Sequence, residues 1–148
     1  MTRSTWLTID ADYAWSRARF TDREPDGDYV PEALVSTLDC GIAVHDIPGR
    51  LEKWSAGLRL MYFGPRPLTQ DGTINSKSTT LLYANIGHKI DDSWSLAIDV
   101  FNLLDTRASD IDYYYASRLP GEPSAGVNDI HTHPSEPREF RISITTKL

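Results

Sequence analysis

A chain of 148 residues is long enough for one domain with a buried core. With 40% hydrophobic and 24% charged residues it has the composition of a folded protein, which argues against disorder. Its formal net charge of -6 disfavours nucleic acid as a partner, because phosphate binding needs a basic footprint.

In chain order, Leu7, Ile9, Ala11, Tyr13 and Trp15 alternate with Thr8, Asp10, Asp12, Ala14 and Ser16, a period of two that predicts a half-exposed strand. A second strand is predicted over 35–45, with Leu38, Cys40, Ile42 and Val44 on one face. A third puts Trp54, Ala56, Leu58, Leu60 and Tyr62 opposite Ser55, Gly57, Arg59 and Met61. The fourth sets Leu82, Ala84, Ile86 and His88 against Tyr83, Asn85, Gly87 and Lys89. The fifth sets Trp94, Leu96, Ile98 and Val100 against Ser95, Ala97, Asp99 and Phe101. The sixth runs to the chain end, with Phe140, Ile142, Ile144, Thr146 and Leu148 on the apolar side. No segment has the 3.6-residue period of an amphipathic helix.

Cys40 is the only cysteine, so no intrachain disulfide and no cysteine metal site is expected; it reads as a small hydrophobe on the apolar face. The start, residues 1–5, lacks the apolar stretch and cleavage site of a secretory signal, so the chain reads either as cytosolic or as a piece of something longer. No apolar run approaches a membrane helix, but membrane strands escape such a scan because only alternate residues face lipid.

The connections alternate in length. Turns at 46–50 and 91–93 are short, whereas polar loops at 21–32, 64–77 and 105–136 are long. An antiparallel sheet connected this way has its long loops at one end, as outer-membrane barrels do. The aromatics agree with that reading: Trp54, Trp94, Tyr13, Trp15, Tyr62 and Phe140 lie at the ends of the apolar face rather than at its middle. Rings in that position suit the two interfaces of a bilayer. Trp54 to Tyr62 would span roughly 26 Å along the strand and about 20 Å along the membrane normal when tilted, which fits an apolar band about 25 Å tall. The expected fold is therefore all-β, with about six antiparallel transmembrane strands.

Asp99-Val100-Phe101-Asn102-Leu103-Leu104-Asp105 resembles the penultimate strand of TonB-dependent outer-membrane receptors, which ends in an Asn-Leu-Phe-Asp pattern. Pro137-Arg138-Glu139-Phe140-Arg141-Ile142-Ser143-Ile144 is similar to the family's last strand, and Tyr62-Phe63-Gly64-Pro65-Arg66-Pro67-Leu68 with the strand at 78–89 to the hairpin before it. The resemblance covers nearly the whole chain and implies the C-terminal part of a plugged barrel of about 22 strands. By that resemblance residues 1–148 carry no plug domain and no signal peptide, and six strands alone do not close so wide a barrel. The family usually ends on an aromatic, whereas this chain ends on Leu148. The implied role is uptake of a nutrient such as a ferric siderophore across the outer membrane. The implied partners are membrane lipid, the N-terminal barrel and plug, TonB acting through the plug, and a small-molecule ligand such as a metal chelate. No cofactor is implied.

The last loop carries the candidate ligand contacts Tyr113, Tyr114, Tyr115, Arg118, His131 and His133, because aromatic and guanidinium groups suit an anionic, partly aromatic ligand. Loop packing explains the tyrosines equally well. Asp129, His131 and His133 have the chemistry of a metal site but no specific spacing, so no metal is assigned. Asp99, Arg141 and Arg59 are expected inside the barrel as structural charges, with Asp99 and Arg141 interacting across strands. Trp15, Trp54, Tyr62, Trp94 and Phe140 are expected to form the aromatic girdles. No phosphate loop, nucleophile elbow or His-Glu-x-x-His pattern points to an enzyme. The alternatives are a soluble β-sandwich or small barrel that binds a ligand in its mouth, and more remotely a metal-dependent enzyme.

Overall fold

Alternation with a period of two commits the chain to sheet throughout. The computed structural model describes residues 6–147, so the readings made on residues 1–5 and Leu148 lie outside it. The strands are β1 (Leu7–Trp15), β2 (Arg19–Glu24), β3 (Gly27–Tyr29), β4 (Ser36–Val44), β5 (Trp54–Phe63), β6 (Thr79–Lys89), β7 (Trp94–Phe101), β8 (Ser109–Ser117), β9 (Val127–Pro134) and β10 (Glu139–Thr146). Six of them form one antiparallel sheet in the order β1-β4-β5-β6-β7-β10, so each strand pairs with the main-sheet strand next to it in sequence. All six predicted strands are present.

Register places the apolar residues in rows. Ile9, Ile42, Leu58, Ala84, Val100 and Phe140 stand directly opposite one another across all six strands. The neighbouring row on the other face runs Asp10, Gly41, Arg59 and Tyr83. Because side chains alternate strictly, this register gives the sheet one apolar and one mainly polar surface.

Among the described residues nothing covers the apolar surface. Ile9, Ile142, Ile144, Tyr13 and Trp15 are each between 63% and 69% exposed, and Leu68, in a loop, is the one buried hydrophobic residue among those described. A soluble sheet of this size would bury that face against a second layer. Here the sheet is a single open layer, and β1 and β10 each leave one edge unpaired. A sandwich or a closed small barrel is therefore not the geometry of the described residues.

The two ends of the sheet differ as the loop lengths imply. The turn before β5 folds on Gly49 at φ 94°, with the Glu52 and Trp54 amides donating to Gly49 and Leu51 carbonyls at 3.2 and 2.9 Å. The β6–β7 turn is capped by the Asp91 carboxylate, which accepts from the Ser93 and Trp94 amides at 2.8 Å. Lys89 donates to Asp46 at 2.7 Å and ties the two turns together. That contact, with a second one from His45, holds the Asp46 carboxyl below its ordinary range.

Two of the long loops are not irregular, contrary to the sequence reading. The first contains the hairpin β2–β3 and the last contains β8–β9. Both escaped the periodicity test for physical reasons. β3 has three residues, and β8 carries tyrosines on both faces, so neither shows an apolar side.

Candidate functional site

The loop end is the place to look, since three loops converge there above the polar face. The middle loop, 64–78, joins the other two. The Tyr29 amide donates to the Gln70 carbonyl at 3.0 Å and the Glu32 amide to the Pro67 carbonyl at 2.7 Å, which docks the first loop on it. On its other side Arg66 Nη2 donates to the Asp110 carbonyl at 3.1 Å, and Thr79 Oγ1 to the Ser109 carbonyl at 2.6 Å. Gly72 lies against Tyr29 at φ 69°, and a Cβ there would stand 2.8 Å from the ring. Within the first loop, Arg19 pairs with Asp28, and its guanidinium lies 3.3 Å from the centroid of the Tyr29 ring.

The last loop is anchored by Asn102, only 3% exposed. Its Nδ2 donates to the Thr106 and Glu136 carbonyls at 3.0 Å, and its Oδ1 accepts from the Thr106 amide at 2.9 Å. Asp105 completes the tether by accepting from the Arg138 amide at 3.1 Å. Asn102 and Asp105 both have positive φ, 47° and 53°, a region in which Asn and Asp are tolerated better than most residues. The Asn102–Asp105 and Pro137–Arg138 motifs thus act together: they clamp the two ends of one long loop at the top of β7.

The structure sorts the six candidate contacts. β8 and β9 pair with Tyr113 opposite His131 and Tyr115 opposite Asp129, so Tyr113, Tyr115, His131 and His133 share a face of the hairpin. His131 stacks on the Tyr115 ring with centroids 3.9 Å apart, and its Nε2 lies 3.3 Å from the Tyr115 carbonyl. His133 Nδ1 stands 3.9 Å from Asp110 Oδ2. Tyr114 points to the opposite face. There Asp112, at 3% exposure, accepts from Thr132 Oγ1 at 2.9 Å. Arg118 lies beyond the strand end, where its Nε donates to the Glu122 carbonyl at 3.2 Å and it serves its own turn.

His131 and His133 were expected in a loop without fixed geometry, but a strand holds them instead. Among the described residues no group of three or more His, Cys, Asp or Glu is arranged to hold a metal ion. Asp129, His131 and His133 alternate along β9 and do not make such a group.

Periodicity alone also missed residues that line the mouth. A groove of about 290 Å³ runs between the last loop and the polar face, lined by Tyr83, Phe101, Asp110, His133 and Glu136 among others. Tyr83 and Phe101 pack edge to face, 6.1 Å between centroids. They were visible as rings on an otherwise polar face, which was the available signal. Lower on that face Arg59 donates to Asp10 at 2.8 Å and also pairs with Asp39. Gly41 makes room for this bridge, since a Cβ there would lie 3.0 Å from both Arg59 Nη2 and Asp10 Oδ1. Asp99 and Arg141 are directly opposed in register, but no ion pair joins them: the Arg141 guanidinium lies over Phe101, 4.6 Å from the ring centroid.

Five aromatic rings lie at or next to strand ends on the apolar face. Trp54 and Trp94 sit at the turn end, with Trp54 against His88, 4.3 Å between centroids. Trp15, Tyr62 and Phe140 sit at the loop end.

No family model matches the sequence, and no curated protein does either. Solved structures do. The ferric-catecholate import receptor Fiu from E. coli K12 matches in its closed form with a TM-score of 0.72 and 15% identity, over 97% of this chain. The fold is that of antiparallel β-barrel strands of the outer-membrane kind, present among the described residues as an open sheet. The open form of the same receptor gives a TM-score of 0.67 at 15% identity, and the copper transporter OprC gives 0.62 at 16% identity over 95% of this chain. The chain spans 19% to 21% of the length of these structures, about one fifth of a receptor barrel chain.

Proposed function

We propose that this chain is one arc of the barrel of a TonB-dependent outer-membrane receptor, the part nearest its C-terminus. The observation that carries this reading is the bare apolar face. The sheet exposes Ile9, Ile42, Leu58, Ile86, Ile142 and Ile144 between two levels of aromatic rings, and lipid offers such a surface a favourable neighbour. The open edges at β1 and β10 support the rest: unpaired backbone groups inside a bilayer are too costly to leave, so further strands must pair with both. The long loops then face the exterior and the turns at 46–50 and 91–93 face the periplasm. The polar face, with its Arg59–Asp10 and Arg59–Asp39 bridges, lines the lumen and meets a plug on which TonB acts.

The role that follows is import without chemistry of its own. A chelated metal is the cargo class that fits best: the structural neighbours import ferric catecholate in one case and transport copper in the other. The Tyr113, Tyr115, His131 and His133 face of the β8–β9 hairpin is the outermost contact for it. Deletion of the complete gene tests this reading. It should abolish uptake of a ferric catecholate under iron limitation, and the gene product should fractionate with outer membranes. Recovery of the protein as a soluble, cooperatively folding monomer would overturn the proposal, and loss of copper uptake alone would move it to the second cargo.

A further inference from the structure

Three rings at the loop end of the apolar face fix the slope of the sheet against a membrane. Phe140 shares one cross-strand row with Leu58 and Ile9, whereas Tyr62 lies four and Trp15 six residues further along their own strands. Six residues advance roughly 20 Å along a strand, and the five interstrand steps from β1 to β10 cover roughly 24 Å. The line through the rings thus crosses the strands as a tilt of about 40° requires, which is the tilt of membrane barrels. Trp54 and Trp94 descend in the same sense, four and six residues on the other side of that row. At this tilt Trp15, Tyr62 and Phe140 stand at one height.

Two places beyond Trp15 and Phe140, away from the middle of the face, are arginines. Arg17 and Arg138 keep the parity of those rings and are both exposed. Two residues of tilted strand lift them about 5 Å above the rings, to the depth of lipid headgroups. Neither enters an ion pair among the described residues. Arg138 gives one donor to the Leu103 carbonyl at 3.4 Å, and the neighbouring Asp105 carboxylate is taken by its backbone amide. Arg17 lines a cavity of about 160 Å³ with Trp15, Tyr29, Val35 and Pro67, and no carboxylate lines it.

The turn end is different. Lys53, Lys89 and Lys147 share a cavity with Asp46, Glu52, Asp91 and Asp92, and Lys89, opposite Ser95, belongs to the polar face. Arg50, in the turn itself, is the basic residue of that end without such company. On a chain of net charge -6, uncompensated cations beside the lipid-facing rings are thus a feature of the loop end.

We propose that Arg17 and Arg138 hold the phosphate groups of phosphorylated glycolipid in the outer leaflet, each beside the ring that marks the membrane boundary. A guanidinium fork matches paired phosphate oxygens, and basic groups at a membrane surface attract anionic headgroups. The apolar wall beside Arg17 takes the part of the lipid next to its phosphate. The arginines lie a sheet's width apart, so they serve separate lipid molecules. The proposal rests on the receptor reading, which turns the loop end outward.

The test uses the complete gene product, delipidated in neutral detergent and titrated with bisphosphorylated lipid A while bound lipid is read by native mass spectrometry. Replacing both residues, Arg17→Gln with Arg138→Gln, should weaken binding about tenfold or more, and the double lysine variant should fall between. Lipid A stripped of its phosphates should bind wild type and variant alike, and Lys147→Gln, a charge lost on the polar face, should change nothing. Equal affinity of wild type and the double glutamine variant overturns the proposal, as does an equal loss in Lys147→Gln. Inorganic phosphate that competes with the lipid at equal concentration also overturns it, since the site would then take the free ion. Should the double variant fail to fold, Arg17→Gln alone decides, with a several-fold loss expected and unchanged affinity fatal. A wild-type protein that fractionates with outer membranes but binds no lipid A leaves the receptor reading standing without this surface, whereas a soluble monomer removes both.

Discussion

Asn102 holds a position that few side chains can fill. The backbone must leave β7 at φ 47°, which strains most L-residues, and three backbone groups of the last loop depend on its amide for their partners. Alanine would lose all three hydrogen bonds and leave the Thr106 and Glu136 groups unsatisfied in an enclosed place. We predict that Asn102→Ala destabilises the folded protein by ~2–4 kcal/mol, from two or three net hydrogen bonds plus backbone strain. Asn102→Asp should cost at least as much, because a carboxylate would face the two carbonyls that the amide now serves. Urea unfolding followed by tryptophan fluorescence measures both. A midpoint within error of wild type for Asn102→Ala would mean that the loop is anchored elsewhere.

At the scale of elements, the middle loop is the part on which the other two loops rest, and its stiffness comes from a local carboxylate turn. Asp71 accepts from Thr69 Oγ1 at 2.5 Å and from the Thr73 amide and hydroxyl at 3.0 and 2.9 Å. The Thr69 hydroxyl first, then the Thr73 amide and hydroxyl, hold its carboxyl below the ordinary value of 3.8. A depressed carboxylate stabilises the turn fully above that ordinary value, and the contribution fades as pH falls through the lowered one. Amide exchange at Thr73 and Ile74, corrected for intrinsic rates, should therefore accelerate on acidification below 3.8. Asp71→Asn should abolish that pH dependence; if it persists in the variant, the loosening has another source. How much of this scale was legible in the sequence depended on repetition. The six long strands announce themselves because Ile9, Leu58 or Ile142 recurs at every second place against polar neighbours. The hairpins within the loops do not, since Tyr113, Tyr114 and Tyr115 occupy both faces of β8 and β2–β3 is too short to show a period. The Asn102 and Pro137 motifs mark the clamp, but Arg66 and Asp110 meet across 44 positions of chain, and no local pattern encodes such a contact.

For the whole molecule the decisive quantity is what the apolar face costs in each solvent. Adjacent residues of β10 allow a matched comparison. Ile142 lies on the apolar face opposite Ile98, in a row between the levels of Trp94 and Phe140, and Ser143 lies on the polar face opposite Ala97. Ile142 is 69% exposed, so on a soluble sheet an arginine there would remain solvated and change stability by no more than about 0.5 kcal/mol. Facing the middle of a bilayer, the same guanidinium costs ~2–4 kcal/mol, whereas at a lumen-facing position it is tolerated. We predict that Ile142→Arg lowers the stability of the complete protein refolded in lipid vesicles by ~2–4 kcal/mol, while Ser143→Arg leaves it within about 0.5 kcal/mol of wild type. The difference between the variants carries the meaning, because both place an arginine with the same charge in one strand and the two side chains face opposite ways. Equal effects would remove the physical basis for a lipid-facing surface, and with it the membrane orientation of the loops. A large loss at Ser143 alone would turn the sheet over, with the ion-paired face outward. Only the predicted asymmetry lets a sheet without a buried core be stable, since the bilayer then takes the place of the missing second layer.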